Sequence, residues 1–430
     1  MDVKLLVPPC LVPPARETDK ELYFLSNLDQ NVAIIVQTVY SFKSEELGNE
    51  TVAVVLKDAL ARVLVDYYPF AGRLTISDVG KLAIDCTGEG VIFVEAEANC
   101  ELKDIGDISI PDPPILNKFV YMSSDSNNIL QIPPLTAQVT KFRCGGFVLG
   151  LSMNHCMCDG VSAMDFINSW SEIARNIPLS FPPFLDRTLL KSRVPPVISN
   201  EHHEFAEIKD VSAGKATIDE DKDDPILHRF FNFDVERLNE LKRKVMDDST
   251  HISCTSFEAL SGFIWRSRTD ALQLDPVQEV KLLFAVDGRK RLDTVLPKGY
   301  FGNGIVLTNS LTTAGDLTSN PLSHAVGLVK KAVKMVDDEY MRSAIDFFEK
   351  NRLKPSLTAT LLITTWLKLD FYNSDFGWGT PLHTGPVDLP AKEICVFLPQ
   401  GKERKSIDVL LGLPQSAMRR FQEKIEKIFT

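Results

Sequence analysis

Near its middle, from Arg187 to Asp224, the chain turns polar and loses apolar periodicity: "RTLLKSRVPPVISNEHHEFAEIKDVSAGKATIDEDKDD". The stretch carries Pro195-Pro196 and ends in an acidic run, so it reads as a long exposed linker. This constrains the fold strongly. The residues before it (1–186) and after it (225–430) must each bury a core, and both spans are of ordinary domain size. The expectation is a two-domain α/β protein with a crossover linker at 187–224. An inter-domain cleft is a common place for a ligand site. His202 and His203, inside the linker, read as solvated histidines rather than a metal pair.

Both halves mix strand and helix patterns. "VAIIVQTVYSF" (Val32–Phe42) is rich in β-branched and aromatic residues and predicts a buried strand. "ETVAVVLKDALARVLVDYY" repeats apolar residues at three and four and predicts a helix, ended by Pro69 and Gly72. Lys81–Ala98 reads as a hairpin turning at Gly88 and Gly90. Leu135–His155 reads as two strands turning at Gly145-Gly146, and Gly160–Arg175 as an amphipathic helix. The second half restarts with the strand-like "HRFFNFD" and the helix "VERLNELKRKVM". It ends in a hairpin around Gly401 and a helix from Gln415 to Phe429.

The net charge of −11 argues against nucleic acid, which needs a basic face. The first residues are broken by Pro8, Pro9, Pro13 and Pro14, unlike a signal peptide, and no apolar run reaches the ~18 residues of a membrane span. A cytoplasmic protein with eight free thiols is expected.

The densest chemistry lies in "NHCMCDG", Asn154–Gly160. Zinc is disfavoured: Cys156-x-Cys158 lacks a distant partner pair, and His155 and Cys156 are adjacent. A redox pair prefers Cys-x-x-Cys. As a polar turn, Asp159 would cap the following helix. As a catalytic site, His155 at the end of a buried strand is a general base, since imidazole takes and returns a proton near neutral pH. A cysteine nucleophile beside it is disfavoured because neighbours in an extended strand point opposite ways. No G-x-S-x-G elbow supports a serine hydrolase.

A second motif, "DFGWG" (Asp375–Gly379), makes the pattern specific. Together with "YYPFAGRL", "SCTSFEAL", "AVDGRKRL", "LPKGYFGNG" and "ITTW", the chain resembles the plant BAHD acyl-CoA-dependent acyltransferases over nearly its whole length. The resemblance implies two chloramphenicol acetyltransferase-like domains, with HxxxDG on the first, DFGWG on the second, and a solvent channel between them. It implies a feruloyl or related hydroxycinnamoyl CoA thioester as co-substrate, no resident cofactor or metal, and a monomer acting on small molecules. Within the family the likeness is greatest to enzymes that acylate ω-hydroxy fatty acids or fatty alcohols for suberin and wax. Polar acceptors such as shikimate, quinate or an amine are the alternative, as is a non-catalytic partner of lipid enzymes.

The same resemblance assigns roles by position. His155 is the base, and Thr364 and Trp366 are oxyanion donors. Asp159 turns away and pairs with Arg289, and Asp375 holds a structural loop. From the residues themselves, an acidic chain needs a local basic, hydroxyl-rich face for CoA: Ser253, Thr255 and Ser256 near a helix start, with Arg291 and Lys298 flanking "YFGNG", are expected to meet it. Gln37 and Thr38, in the strand "QTVYSF", are expected in the acceptor pocket. Cys158 departs from the family pattern, where a bulkier apolar residue is usual.

Overall fold

The computed structural model describes residues 1–122, 128–209, 211, 224–248, 253–401 and 403–429. They form two compact units that are not the two contiguous halves expected. The first comprises Met1–Ser192, Leu296–Gly304 and Leu369–Leu389, and the second Arg193–Val295, Ile305–Lys368 and Pro390–Thr430. Two short segments of the C-terminal half, one of them carrying "DFGWG", thus belong to the first unit.

The first unit is built on a seven-stranded sheet. Its central strands are Leu135–Lys141, Phe147–Asn154 and Ile35–Phe42, all antiparallel to their neighbours in this group. Every residue of Phe147–Asn154 is buried, which explains its continuous apolar reading. His383–Pro386 pairs with Ile35–Phe42 and covers that edge, and Val91–Ala98 pairs in parallel with Leu135–Lys141.

Alternation sets the two faces. One face of Ile35–Phe42 presents Val39, which packs with Phe119, Val148 and Val387. The other presents Tyr40 and Phe42, which meet Phe371, Phe147 and Phe376. The helix Gly160–Ala174 buries Met164, Phe166, Ile167, Trp170 and Ile173. Trp170 satisfies its indole by donating to the Leu56 carbonyl at 2.9 Å. Burying side chains of this size contributes roughly 1.5–3 kcal/mol each before entropy.

The predicted hairpin at 81–98 does not form. Leu82–Asp85 joins a separate three-stranded sheet with Leu22–Phe24 and Arg73–Ile76, whereas Val91–Ala98 enters the large sheet. The glycines fall where expected, Gly88 at φ 71° and Gly90 at φ 101°. They redirect the chain between sheets instead of reversing it within one. Local pattern cannot tell these apart.

The second unit holds a six-stranded sheet in the order Ile226–Phe233, Ser406–Pro414, Ile394–Gln400, Thr360–Thr365, Glu279–Asp287, Ile305–Thr313. The hairpin at Gly401 and the final helix, Gln415–Ile428, form as predicted.

The expected exposed linker is largely docked. Arg187 and Leu190 are buried in the first unit. In the second, Arg193 pairs with Asp346 at 2.6 Å. His202, read as solvated, is buried: Nδ1 lies 2.7 Å from Glu204 Oε1, and Nε2 2.8 Å from Ser343 Oγ. Glu204 also accepts from Asn309 at 3.1 Å. Polarity alone predicts solvation, but each of these polar groups finds a buried partner. The acidic end of the stretch, residues 212–223, lies outside the described residues. Among the described residues no helix is long and apolar enough to cross a membrane.

Candidate active site

His155 follows the last residue of the buried strand Phe147–Asn154 and is partly buried. Its amide donates to the Ile34 carbonyl at 2.8 Å, extending the pairing with the neighbouring strand by one residue. Asn154 Oδ1 accepts from the Cys156 amide at 3.1 Å, and the Met157 amide returns to the Asn154 carbonyl at 3.0 Å. The chain therefore turns sharply at the histidine.

Asp159 ends the turn as the N-cap of the helix Gly160–Ala174, accepting from the Ser162 amide at 3.1 Å. Its other oxygen accepts from the Gly304 amide at 2.9 Å. The carboxylate thus ties the helix start to the loop 300–304. Ser162 Oγ reinforces this by donating to the carbonyls of Tyr300, at 2.7 Å, and Gly302, at 3.0 Å.

That loop brings Asn303 to the histidine. Asn303 Oδ1 lies 3.1 Å from His155 Nδ1, and Asn303 Nδ2 donates to the His155 carbonyl at 2.9 Å. Asn303 is held in turn by Asp29, whose Oδ1 accepts from its amide at 2.9 Å and from Nδ2 at 2.8 Å. Asp29 Oδ2 accepts from Ser26 N at 2.7 Å and Ser26 Oγ at 2.8 Å in a capping box, and faces Arg187 Nη1 at 3.2 Å. Both charged side chains are 0% exposed.

Burial pulls the Arg187 guanidinium down, but Asp29 beside it more than offsets this, so its pKa is raised and it stays cationic. Arg187 also donates to the carbonyls of Phe301, at 2.8 Å, Cys156, at 3.2 Å, and Met157.

Composition and motif reading singled out none of Asn303, Asp29 and Arg187. Asn303 sat inside the quoted "YFGNG" block. Asp29 had a legible signal, the S-x-x-D spacing from Ser26. Arg187 had none, because it opened the supposed linker.

The neighbouring cysteines are not nucleophiles in waiting. Burial raises the Cys156 thiol to about 12 and pushes the Cys158 thiol up as well. All eight cysteines are free.

The other expected site residues fall in several places. Asp375 accepts from the amides of Gly377, at 2.7 Å, and Gly379, at 2.9 Å, and lies 3.7 Å from Arg175. Trp378 donates to the Gly48 carbonyl at 2.7 Å and packs on Phe147. "DFGWG" is therefore an anchor on the first unit's core.

Gln37 and Thr38 point to opposite faces of their strand. Gln37 Nε2 donates to Ser152 Oγ at 3.0 Å on the face shared with Val39, while Thr38 lies on the Tyr40 face. One pocket on one face cannot be lined by both side chains. Lys298, exposed in the first unit, sits 4.2 Å over the Phe181 ring.

In the second unit, Thr364 and Trp366 share the less buried side of their segment with Leu362, opposite the buried Leu361 and Ile363. Trp366 is half-buried, and its amide donates to the Phe397 carbonyl at 2.9 Å. Arg289 folds onto Asp287 at 3.2 Å.

Thr255 caps the helix Ser256–Ala271 in a capping box with Glu258, so that helix start is already partly satisfied. Ser253 is exposed beside it, and Lys330 Nζ donates to its carbonyl. Sequence reading missed this lysine. Arg291 Nη1 is committed to the carbonyls of Val333 and Val336, each at 2.7 Å, which caps another helix end.

Comparison with known proteins agrees with this architecture. The chain is 60% identical over 423 residues to omega-hydroxypalmitate O-feruloyl transferase of Arabidopsis thaliana, covering 98% of this chain and 92% of that protein. It is 57% identical to fatty alcohol:caffeoyl-CoA acyltransferase of the same plant, covering 96% of each. It is 36% identical to shikimate O-hydroxycinnamoyltransferase of Nicotiana tabacum, covering 96% of this chain and 97% of that one.

Among solved structures, vinorine synthase superposes with a TM-score of 0.78 at 20% identity over 99% of this chain and 98% of its own. F. graminearum TRI101 complexed with coenzyme A and T-2 mycotoxin gives 0.74 at 19%, over 94% and 97%. These share the two-domain CoA-dependent acyltransferase fold. Residues 9–428 match the Transferase family, and the chain belongs to it, the family of the BAHD acyltransferases that its motifs resemble.

Proposed function

We propose that the protein transfers a feruloyl or related hydroxycinnamoyl group from its CoA thioester to the hydroxyl of an ω-hydroxy fatty acid or a fatty alcohol. The observation that carries the chemistry is His155, held at a strand end with Nδ1 engaged by a side chain and the ring only partly buried. The donor and acceptor classes rest on the two relatives above 50% identity, whose names share aliphatic acceptors and hydroxycinnamoyl groups.

In this reading His155 takes the hydroxyl proton as the oxygen attacks the thioester carbonyl. The tetrahedral oxyanion collapses, and the imidazolium returns the proton to the departing sulfur. Such acid–base help is worth about 10²–10⁴ in rate. No acyl-enzyme forms, so both substrates bind before either product leaves.

Thr364 Oγ1 and the Trp366 indole are proposed as oxyanion donors, each lost donor costing roughly 3–4 kcal/mol. Asp159 is proposed to pair with Arg289 in addition to its capping role. Ser253, Thr255 and Ser256 are proposed to meet CoA, with Lys330 adding local charge. Lys298 is retained as a CoA contact, and Arg291 as a support for it. Thr38 or Gln37, but not both, is proposed to line the acceptor site. The enzyme is proposed to be monomeric and cytoplasmic, with its domains centred on the two compact units.

The test is CoA-thiol release from feruloyl-CoA with an ω-hydroxy fatty acid, a fatty alcohol, shikimate, quinate and spermidine in parallel, with His155→Ala as control. Release with the aliphatic hydroxyls alone, lost in the variant, is expected. Release with a polar acceptor alone would overturn the substrate. Full biological effect retained by His155→Ala would overturn catalysis in favour of a binding role.

A further inference from the structure

The orientation of the Asn303 amide is dictated by its neighbours. Its nitrogen lies 2.8 Å from a carboxylate oxygen of Asp29 and 2.9 Å from the carbonyl oxygen of His155. Both are acceptors without a hydrogen to give. Only an NH₂ group serves two acceptors at once, so the amide cannot be turned over without facing two lone pairs with a third. Its oxygen must therefore be the atom 3.1 Å from His155 Nδ1. A carbonyl oxygen accepts, so in the neutral ring the hydrogen is on Nδ1, and Nε2 carries the lone pair.

The support behind Asn303 fixes it further. Asp29 Oδ1 binds both its backbone and its side-chain nitrogen. Arg187 neutralises Asp29 and grips the carbonyls of Cys156 and Met157, just after the histidine, and of Phe301, just before the asparagine. One guanidinium thus holds both loops that meet in the His155–Asn303 bond.

We propose that Asn303 is a positioning residue that fixes the tautomer of His155, with Asp29 and Arg187 setting the orientation of its amide. The base is thereby Nε2, and the imidazolium formed during turnover keeps a hydrogen-bond acceptor at Nδ1. The proposal rests on the reading of His155 as the base.

The first test uses the unaltered protein. Ring ¹⁵N-labelled histidine, with His155 assigned by its loss in His155→Gln, reports the tautomer in long-range ¹H–¹⁵N spectra. The neutral ring is expected to carry its hydrogen on Nδ1; a hydrogen on Nε2 overturns the proposal. The second test is Asn303→Leu, which removes the acceptor. The expectation is kcat lower by about 10–100-fold, below the ~10²–10⁴ ascribed to the base itself, with both KM values within about twofold. The acid limb of kcat/KM should move to lower pH, because the imidazolium loses an acceptor. A fall in kcat with an unmoved acid limb would mark a merely structural role and overturn the assignment. An Nε2–H ring in an enzyme killed by His155→Ala sinks this inference alone. Activity surviving in His155→Ala sinks the base reading beneath it.

Discussion

Replacing Arg187 with methionine should loosen the first unit around the histidine turn. The side chain is 0% exposed and sits 3.2 Å from Asp29, also 0% exposed. At an effective dielectric of about 20, that separation corresponds to roughly 5 kcal/mol of attraction, opposed by the cost of burying both ions. Removing one partner forfeits the attraction and leaves the other charge buried, which costs about 3–5 kcal/mol. For a unit of roughly 200 residues, each kcal/mol moves Tm by about 2–4 °C, so Tm should fall by about 6–20 °C.

Pulsed alkylation of Cys156 and Cys158 with rising temperature, read by mass spectrometry, follows this unit directly, since both thiols lie beside Arg187 and are buried. A double-mutant cycle isolates the pair. Asp29→Asn with Arg187→Met removes both charges and should be less damaging than the sum of the singles. A Tm shift below about 2 °C for Arg187→Met, or single effects that add within about 0.5 kcal/mol, would refute the reasoning.

Three further outcomes are expected of the first unit. Gly150→Ala should destabilise the first unit by about 1–3 kcal/mol or more, because its Cβ would stand 2.0 Å from the Phe119 carbonyl oxygen in the sheet centre; a urea midpoint equal to the parent's would contradict this. Cys156 and Cys158 should resist iodoacetamide at neutral pH in the folded protein, since burial raises both thiols; rapid labelling there would show the turn to be open. The His383–Asp107 pair, 2.8 Å apart, should tether the covering strand over a limited pH range. Its hydrogen bond to Asp107 raises His383 above the ordinary 6.5, so that contribution is complete below 6.5 and fades as pH rises through the raised value. Asp107 is lowered by the same bond from 3.8, so its contribution is present above 3.8 and fades as pH falls. Protection factors of the amides at 383–385 should be highest between about 4 and 6.5, and His383→Gln should flatten the profile; an unchanged profile would reject the tether.

Much of the fold was legible where one element answers to its own periodicity. The strands at 35–42, 135–141 and 147–154 and the helix at 160–174 follow from β-branched runs and three-four spacing. What failed was partner choice. The strands at 82–85 and 91–98 are real, but nothing local says that they enter different sheets. The stretch after Arg187 reads as solvated because polarity alone says nothing of partners, while Arg187, Arg193, His202 and Glu204 each find one. The site divided the same way. His155 and the capping role of Asp159 were readable from one heptapeptide. Asn303 was not, and Asp29 only as a helix cap, because their part in the site depends on contacts 148 and 274 residues apart in sequence.

The three-segment make-up of the first unit has a consequence for biosynthesis. His155 must wait for Asn303, 148 residues later, which at about 5–20 residues per second is roughly 7–30 s of translation. The edge of the strand Ile35–Phe42 waits longer, since His383 lies 342 residues beyond Ser41, or roughly 17–70 s. Throughout that interval the nascent sheet presents unpaired amides and carbonyls on an apolar strand, the kind of edge that recruits another chain. A ribosome-bound intermediate of this protein is therefore an inert but adhesive species. Its demand on chaperones should scale with the time taken to translate from Ser41 to Pro386.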